Sequence, residues 1–378
     1  MFKWIFTLLL LAVITYWLND TSLVSPSYRN NDANVKVLNH LGCDREPSNK
    51  LIATFVSNAQ LLGGSAGVYS QNCGLIVTAF GYSDKGQEVE FELNTVTRIA
   101  SITKPMTALA VMQLKEKGLL QLTDTLSKHL NTAPESHANI TIGQLLNHTS
   151  GVPHYSSALD AMSFTQYPNL ESAAEYIFHK GVQFAPGSGY EYSSFGYTLL
   201  GRVIEVVSKQ SFEEYMRENI WSPAGMNHTA LERVHYKADK SKLYLNVAGW
   251  FIKSPKTNLS IIYPAGGVES TAIDLLRFGQ AVLESKIIQK ESLAEMIDTT
   301  RSLSHIVGDN PYGFGWSVYH HKELGRIISH SGSQPGASSF FQILLDQGTV
   351  AVSLTNSYGS KSSVKQLTYD LESLVLHP

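Results

Sequence analysis

The chain has 378 residues, 43% of them hydrophobic and 16% charged, which is enough to bury a large core. A formal net charge of −3 with no basic run leaves no electrostatic footprint for nucleic acid, and no acidic tract marks a solvating tail. The two cysteines, Cys43 and Cys73, are too few for a disulfide framework or a metal cluster. They pair if the compartment is oxidising and stay thiols if it is not.

Lys3 precedes an apolar run from Trp4 to Leu18, closed by Asn19-Asp20. Residues 1–18 therefore read as a secretory signal or a short signal anchor, and the absence of a clean small-residue cleavage pattern tilts the choice to an anchor. The expected location is periplasmic or membrane-anchored, facing outside the cytoplasm. Residues 19–50 are polar and asparagine-rich, with little periodicity, and read as a linker. Residues 51–378 then form one catalytic domain.

A helical stretch from residue 51 leads to strand-like runs at Ala66 to Ser70, Leu75 to Tyr82 and residues 88–98. An amphipathic helix follows, with Ile102, Met106, Leu109, Ala110 and Leu114 at helical spacing, Pro105 in its first turn and Gly118 as its cap. About 119–300 reads mostly helical: Ile142 to Asn147, Ser172 to His179, Thr198 to Ser208, Phe212 to Trp221 and Ala272 to Ser285. Strands return at Gly325 to Ser331, Ser338 to Asp346 and Val350 to Thr355, before a last amphipathic helix from Lys361 to Val375. This order predicts an α+β fold. An antiparallel sheet built from N- and C-terminal strands is flanked by helices, with a mainly helical region inserted.

Ser101 and Lys104 lie one helical turn apart where strand gives way to helix, so the lysine nitrogen can reach the serine oxygen. A lysine with a lowered pKa can take the proton that keeps a serine hydroxyl a poor nucleophile. The plainer reading of this motif by itself is an N-cap serine with Lys104 in solvent. Downstream, a glycine-rich turn delivers Tyr192-Ser193-Ser194 ahead of an apolar helix. A tyrosine there can shuttle a proton, or pack as an ordinary buried aromatic. Ser329-His330-Ser331-Gly332-Ser333 ends a strand-like run whose edge can pair with a substrate backbone, or simply hold a structural histidine. The Ser333 N–H could join that of Ser101 as an oxyanion hole. No Gly-x-Ser-x-Gly elbow or His-Glu-x-x-His motif occurs, and His320-His321 lacks accompanying metal-ligand spacing.

Taken in order, Ser-x-x-Lys, Tyr-Ser-x and His-x-Gly resemble the serine β-lactamase and penicillin-binding-protein superfamily, in its class C-like branch. Further landmarks are Leu145-Leu146-Asn147-His148-Thr149-Ser150-Gly151, Gly266-Gly267-Val268-Glu269-Ser270-Thr271, Tyr312-Gly313-Phe314-Gly315-Trp316 and Ser353-Leu354-Thr355-Asn356. The tyrosine segment and Gly336-Ala337-Ser338-Ser339 look most like the mitochondrial β-lactamase-like serine peptidases. The resemblance implies a β-lactamase/transpeptidase-like fold and an acyl-enzyme on Ser101, activated by Lys104, with Tyr192 as proton shuttle. It implies substrate binding by Ser194, His330, Ser331 and Gly332, and an oxyanion hole from the main-chain N–H groups of Ser101 and Ser333. It implies no metal and no cofactor.

Two departures bear on substrate. Ser194 stands where β-lactamases of this branch carry asparagine, and a serine reaches less far toward a substrate amide. His330 replaces a lysine and is mostly neutral at neutral pH, so it attracts a β-lactam carboxylate less. The expected activity is that of a serine peptidase or esterase on a small peptide, ester or cell-wall fragment, with membrane contact only through the N-terminal segment. DD-peptidase or β-lactamase activity is the alternative, and a non-catalytic scaffold that kept the fold is the alternative of another class.

Overall fold

The computed structural model describes residues 35–42, 49–155, 164–233, 240–300, 302–304 and 311–376. Residues 1–18, expected as signal or anchor, and Cys43 lie outside them. Among the described residues no helix is long and apolar enough to cross a membrane.

The frame is an eight-stranded sheet assembled from both ends of the chain. Its strands are β1 (Lys36–Leu41), β2 (Gly63–Ser70), β3 (Gly74–Asp84), β4 (Ser317–His321), β5 (Gly325–Gln334), β6 (Ala337–Leu344) and β7 (Thr349–Thr355). Their spatial order is β1-β3-β2-β7-β6-β5-β4, with Val89–Glu90 also on β3, and all pairings are antiparallel. The N- and C-terminal halves meet at the β2–β7 pair, from Ser70 opposite Thr349 to Gly64 opposite Thr355. β6 and β7 are buried along their whole length, so they read as continuous apolar and small-residue runs without alternation. One face is covered by α1 (Asn49–Ala59) and the C-terminal helix, whose Ile52, Val56, Leu367 and Leu371 share a core with Val68, Ile76 and Ala351.

The other face meets the inserted helical region. Its main helices are α2 (Thr103–Glu116), α3 (Leu170–Phe178), α4 (Ser194–Ser208) and α5 (Ala272–Leu283); α6 (Lys361–Leu376) is the C-terminal helix. Caps written in the sequence start them: the Asn169 side chain accepts from the Ser172 N–H, Ser193 from Gly196 and Thr271 from Asp274. Gly118 takes φ +70° and closes α2 as expected, with Leu119 N–H donating 3.0 Å to the Leu114 carbonyl.

The structure revises several local expectations. α2 is not amphipathic: Thr103 through Leu114 are all buried, polar members included, because the helix runs through the middle of the larger core. The stretch 88–98 breaks into Val89–Glu90 and Thr97–Arg98 around a turn in which Thr95 Oγ1 accepts from the Glu92 N–H at 2.9 Å. Within the region expected to be helical, Tyr244–Val247 and Trp250–Lys253 form a hairpin, turned by Ala248 and Gly249 at φ +52° and +88°. Lys36–Leu41, inside the expected linker, forms the edge strand β1, where alternate residues meet only one neighbour and need little hydrophobic signal.

Candidate active site

Ser101 sits in the middle of a single 3-10 turn, Ala100–Ile102, that leads directly into α2. The backbone before it is clamped from both sides: the Ile99 N–H donates 3.1 Å to the Val268 carbonyl, and Ser339 Oγ donates 2.9 Å to the Ile99 carbonyl. Ala100 takes φ +49°. A left-handed alanine costs ~1–2 kcal/mol and persists only where surrounding contacts hold it. The strain sits at the residue that aims Ser101.

Lys104 projects from the first turn of α2 into the protein and is fully buried. This rules out an N-cap serine beside a solvated lysine. Its Nζ lies 3.1 Å from Ser101 Oγ, 3.1 Å from Ser194 Oγ and 2.9 Å from the Ala265 carbonyl oxygen. Among the described residues no carboxylate pairs with it, and burial drives its pKa well below its ordinary 10.5. A neutral amine has two protons and one lone pair. The Ala265 carbonyl can only accept, and Ser194 Oγ can take the second proton, which leaves the lone pair for the Ser101 hydroxyl. The segment presenting Ala265 is fixed by Thr107 Oγ1, 2.6 Å from the Pro264 carbonyl, and by Thr198 Oγ1, 2.8 Å from that of Ile261.

Tyr192 lies just ahead of α4 and lines the same cleft as Ser101, near enough for the serine to act on its hydroxyl. Desolvation raises its pKa and the nearby Ser101 hydroxyl works the other way, with the net shift upward, so the phenol is protonated at neutral pH. Its ring is held 4.5 Å from that of His148, with His154 edge-on at 5.5 Å and Lys104 Nζ 4.7 Å above its centre. His148, at φ +63°, accepts the Ser193 N–H on Nδ1 at 3.1 Å, and His154 accepts the Ser194 N–H at 3.2 Å. The two histidines thus orient the turn that carries Tyr192.

β4 pairs with β5 only as far as Ser317 opposite Ser329, so Ser331–Gln334 has β6 on one side and, among the described residues, no strand partner on the other. His330 is held at both ring nitrogens: Nδ1–H donates 2.8 Å to the Ser331 carbonyl, and Nε2 lies 3.0 Å from the Tyr312 hydroxyl. Burial pushes its pKa down to about 3, so it is neutral. Gly332 faces the nucleophile's backbone. A Cβ there would fall 2.4 Å from the Ile99 carbonyl oxygen and 2.1 Å from Ser339 Oγ. This contact brings Ser333, the next residue, to the wall that also carries Ser101.

The resulting cleft has a volume of about 940 Å³. Ser101, Tyr192, Ser194, His330, Ser331 and Ser333 all line it, while Lys104 stands behind. The structure therefore gathers the sequence-expected residues into one place, with Gly332 as clearance. Sequence reasoning did not find the Ala265 carbonyl, since a backbone acceptor leaves no residue-type signal. It also missed the Tyr312 and His154 partnerships, which join residues distant in the chain.

A serine whose proton has a neutral amine to go to, a protonated phenol and a strand edge make a site for acyl transfer by the serine hydrolase route. A family model described as Beta-lactamase matches residues 49–375, and the chain belongs to that family, within the serine β-lactamase and penicillin-binding-protein superfamily. Penicillin-binding protein 4* of Bacillus subtilis (strain 168) is 31% identical over 294 residues, covering 74% of this chain and 64% of the relative. The chain thus spans a little under two thirds of that relative's length. The penicillin-binding protein from Bacillus halodurans superposes with a TM-score of 0.75 at 25% identity, covering 87% of this chain and 100% of that one. The D-amino acid amidase from Ochrobactrum anthropi SV3 shares the fold, with a TM-score of 0.74 at 22% identity over 87% of this chain and 98% of that one.

Proposed function

We propose that the chain is a serine hydrolase of small peptides, amides or esters, working through an acyl-enzyme on Ser101 in the manner of the class C-like branch. The observation that carries this reading is the buried, carboxylate-free Lys104 with Nζ 3.1 Å from Ser101 Oγ. Ser101 Oγ attacks the substrate carbonyl carbon and its proton passes to Lys104 Nζ. The main-chain N–H groups of Ser101 and Ser333 hold the oxyanion. Tyr192 gives its phenolic proton to the departing nitrogen or oxygen as that bond to carbon breaks, and the proton on Lys104 then restores Tyr192. Water repeats the sequence on the ester: its proton goes to the Lys104–Tyr192 pair, Ser101 Oγ leaves with a proton, and the acid is released.

Peptide or amide cleavage ranks above ester cleavage, and both rank above β-lactam hydrolysis. The neutral His330 supports that order, because it supplies no cation for a β-lactam carboxylate. The apolar run at residues 4–18 supports export, with the protein secreted or held at a membrane.

Intact mass after separate incubation with a fluorophosphonate and with penicillin, each beside Ser101→Ala, tests this. The expected result is a stoichiometric fluorophosphonate adduct that requires Ser101, with little penicillin adduct. A persistent penicillin adduct would move the substrate to cell-wall peptides. No adduct with either would overturn the hydrolase reading and leave a scaffold that retains the fold.

A further inference from the structure

Close to the nucleophile lies a buried cluster of four charged side chains that the acyl-transfer steps do not use. Arg98, three residues before Ser101, is 2% exposed, and its Nε donates 2.8 Å to Glu232. Glu232 also pairs with Lys240 at 2.9 Å, and Lys240 pairs in turn with Glu269. All three of these side chains are buried. The backbone closes the ring, since Arg98 stands opposite Glu269 in an antiparallel pair of short strands. Cations and anions alternate, so the cluster is neutral. Taking charges out of water is costly, and well-packed apolar side chains in their place often serve stability as well. Stability is therefore a weak reason to keep such a cluster, and the geometry it fixes is a stronger one.

What Arg98 fixes is visible in its remaining bonds. Nη1 donates 2.9 Å to Thr257 Oγ1 and 2.7 Å to the Pro335 carbonyl, and Nη2 donates 3.3 Å to the Thr257 carbonyl. Pro335 lies in the turn between β5 and β6, two residues after Ser333. One side chain thus grips both segments that carry the oxyanion donors: its own backbone leads to Ser101, and its guanidinium holds the turn that follows Ser333. A planar fork with five N–H donors holds several acceptors at fixed separations, which a single ammonium does not. Gly332 and Ser339 already tie β5 and β6 to the Ile99 carbonyl. The Arg98 bond adds the turn that joins those two strands.

We infer that Arg98 is a positioning residue, which sets the spacing of the Ser101 and Ser333 main-chain N–H groups through its bond to the Pro335 carbonyl. The inference rests on the hydrolase reading for what those two groups do. Donors aimed at a developing oxyanion act in the transition state, so misplacing one lowers kcat and leaves KM nearly unchanged.

The test compares the wild-type chain with Arg98→Met/Glu232→Met, which removes one cation together with one anion and leaves Lys240 paired with Glu269. Both are assayed on 4-nitrophenyl acetate, after circular dichroism shows the variant folded. The expected result is a kcat lower by about 10- to 100-fold, with KM changed by less than about threefold. Affinity for phenylboronic acid, whose tetrahedral adduct on Ser101 places an oxygen where the oxyanion forms, should fall by a similar factor. Amide hydrogen exchange over residues 331–336 should quicken, because the turn has lost its anchor. Unchanged kcat and boronate affinity, a loss confined to KM, or unchanged exchange would each overturn the inference. If the double variant does not fold, Arg98→Lys decides in its place, since it keeps the charge and loses the fork. It should lower kcat at least about fivefold, and full activity in it would overturn the inference. Turnover that does not need Ser101 would overturn the hydrolase reading instead, while the exchange over residues 331–336 still decides whether Arg98 holds the turn.

Discussion

The two ends of the cleft are built on opposite principles. At the nucleophile the central polar groups are tied to one another: Lys104 reaches Ser101, Ser194 and the Ala265 carbonyl, and His330 is held at both nitrogens. At the far end Lys361 and Lys365 stand exposed on the first turns of α6, beside Tyr358 at 45% exposure. The buried end uses desolvation to change what a lysine is, from an ammonium to an amine. The open end leaves its lysines exposed to water. The same residue type does different chemistry because water is excluded from one place and present in the other.

That contrast can be broken most sharply at the buried end. Ser101→Ala should lower turnover of any accepted ester by roughly 10⁴-fold or more, with no fluorophosphonate adduct by mass, since the covalent route is gone. Lys104→Met should cost about 10²- to 10⁴-fold in the acylation rate measured by stopped flow, the range for loss of a positioned base.

The lysine change also has a pH signature. The folded-state pKa of Lys104 lies below its unfolded value of 10.5. Between those two values the unfolded chain binds more protons, so stability should rise with pH across that window. Urea unfolding midpoints measured at several pH values should show a flatter rise in Lys104→Met. The wild-type rate should climb with pH through the lowered pKa as the amine becomes neutral. Lys361→Gln should leave both profiles in place, because that side chain is exposed.

A smaller effect is expected where β5 touches the backbone just before the nucleophile. Gly332→Ala puts a Cβ 2.4 Å from the Ile99 carbonyl oxygen and should cost about 1–3 kcal/mol in urea unfolding. It should lower kcat more than it raises KM, because it displaces the Ser333 N–H, the proposed donor to the developing oxyanion. Smallest of all, Tyr312→Phe removes the hydroxyl 3.0 Å from His330 Nε2 and should cost about 1 kcal/mol of stability. If it also lets His330 protonate nearer neutral pH, an added limb should appear in the pH–rate profile below pH 7.

Much of the fold was legible because its signals are local. Gly118 marks the end of α2, and Asn169, Ser193 and Thr271 mark helix starts through side-chain caps. The return of strand character after residue 325 correctly implied one sheet made from both termini. The hairpin at Tyr244–Lys253 was missed because four-residue strands inside a helical region carry too little periodicity. The amphipathic reading of α2 failed for another reason. Thr103, Thr107 and Gln113 look like a polar face, but each is buried, and Thr107 and Gln113 give their hydrogens to backbone carbonyls of other segments.

The sequence by itself determined which residues could do chemistry and in what order they occur: Ser101 one turn before Lys104, then Tyr192, then His330 to Ser333. Spacing along a helix is a local property, and it suffices to place a nitrogen within reach of an oxygen. Whether that nitrogen carries a proton was decided only by the tertiary structure. The pKa of Lys104 depends on burial among segments near residues 192–198 and 261–265, with no carboxylate among the described residues paired to it. The same holds for Arg98, whose ties to Glu232, Thr257 and Pro335 exist only once the folded chain brings those segments together. Desolvation and electric field are properties of a three-dimensional neighbourhood, and a linear chain does not contain them.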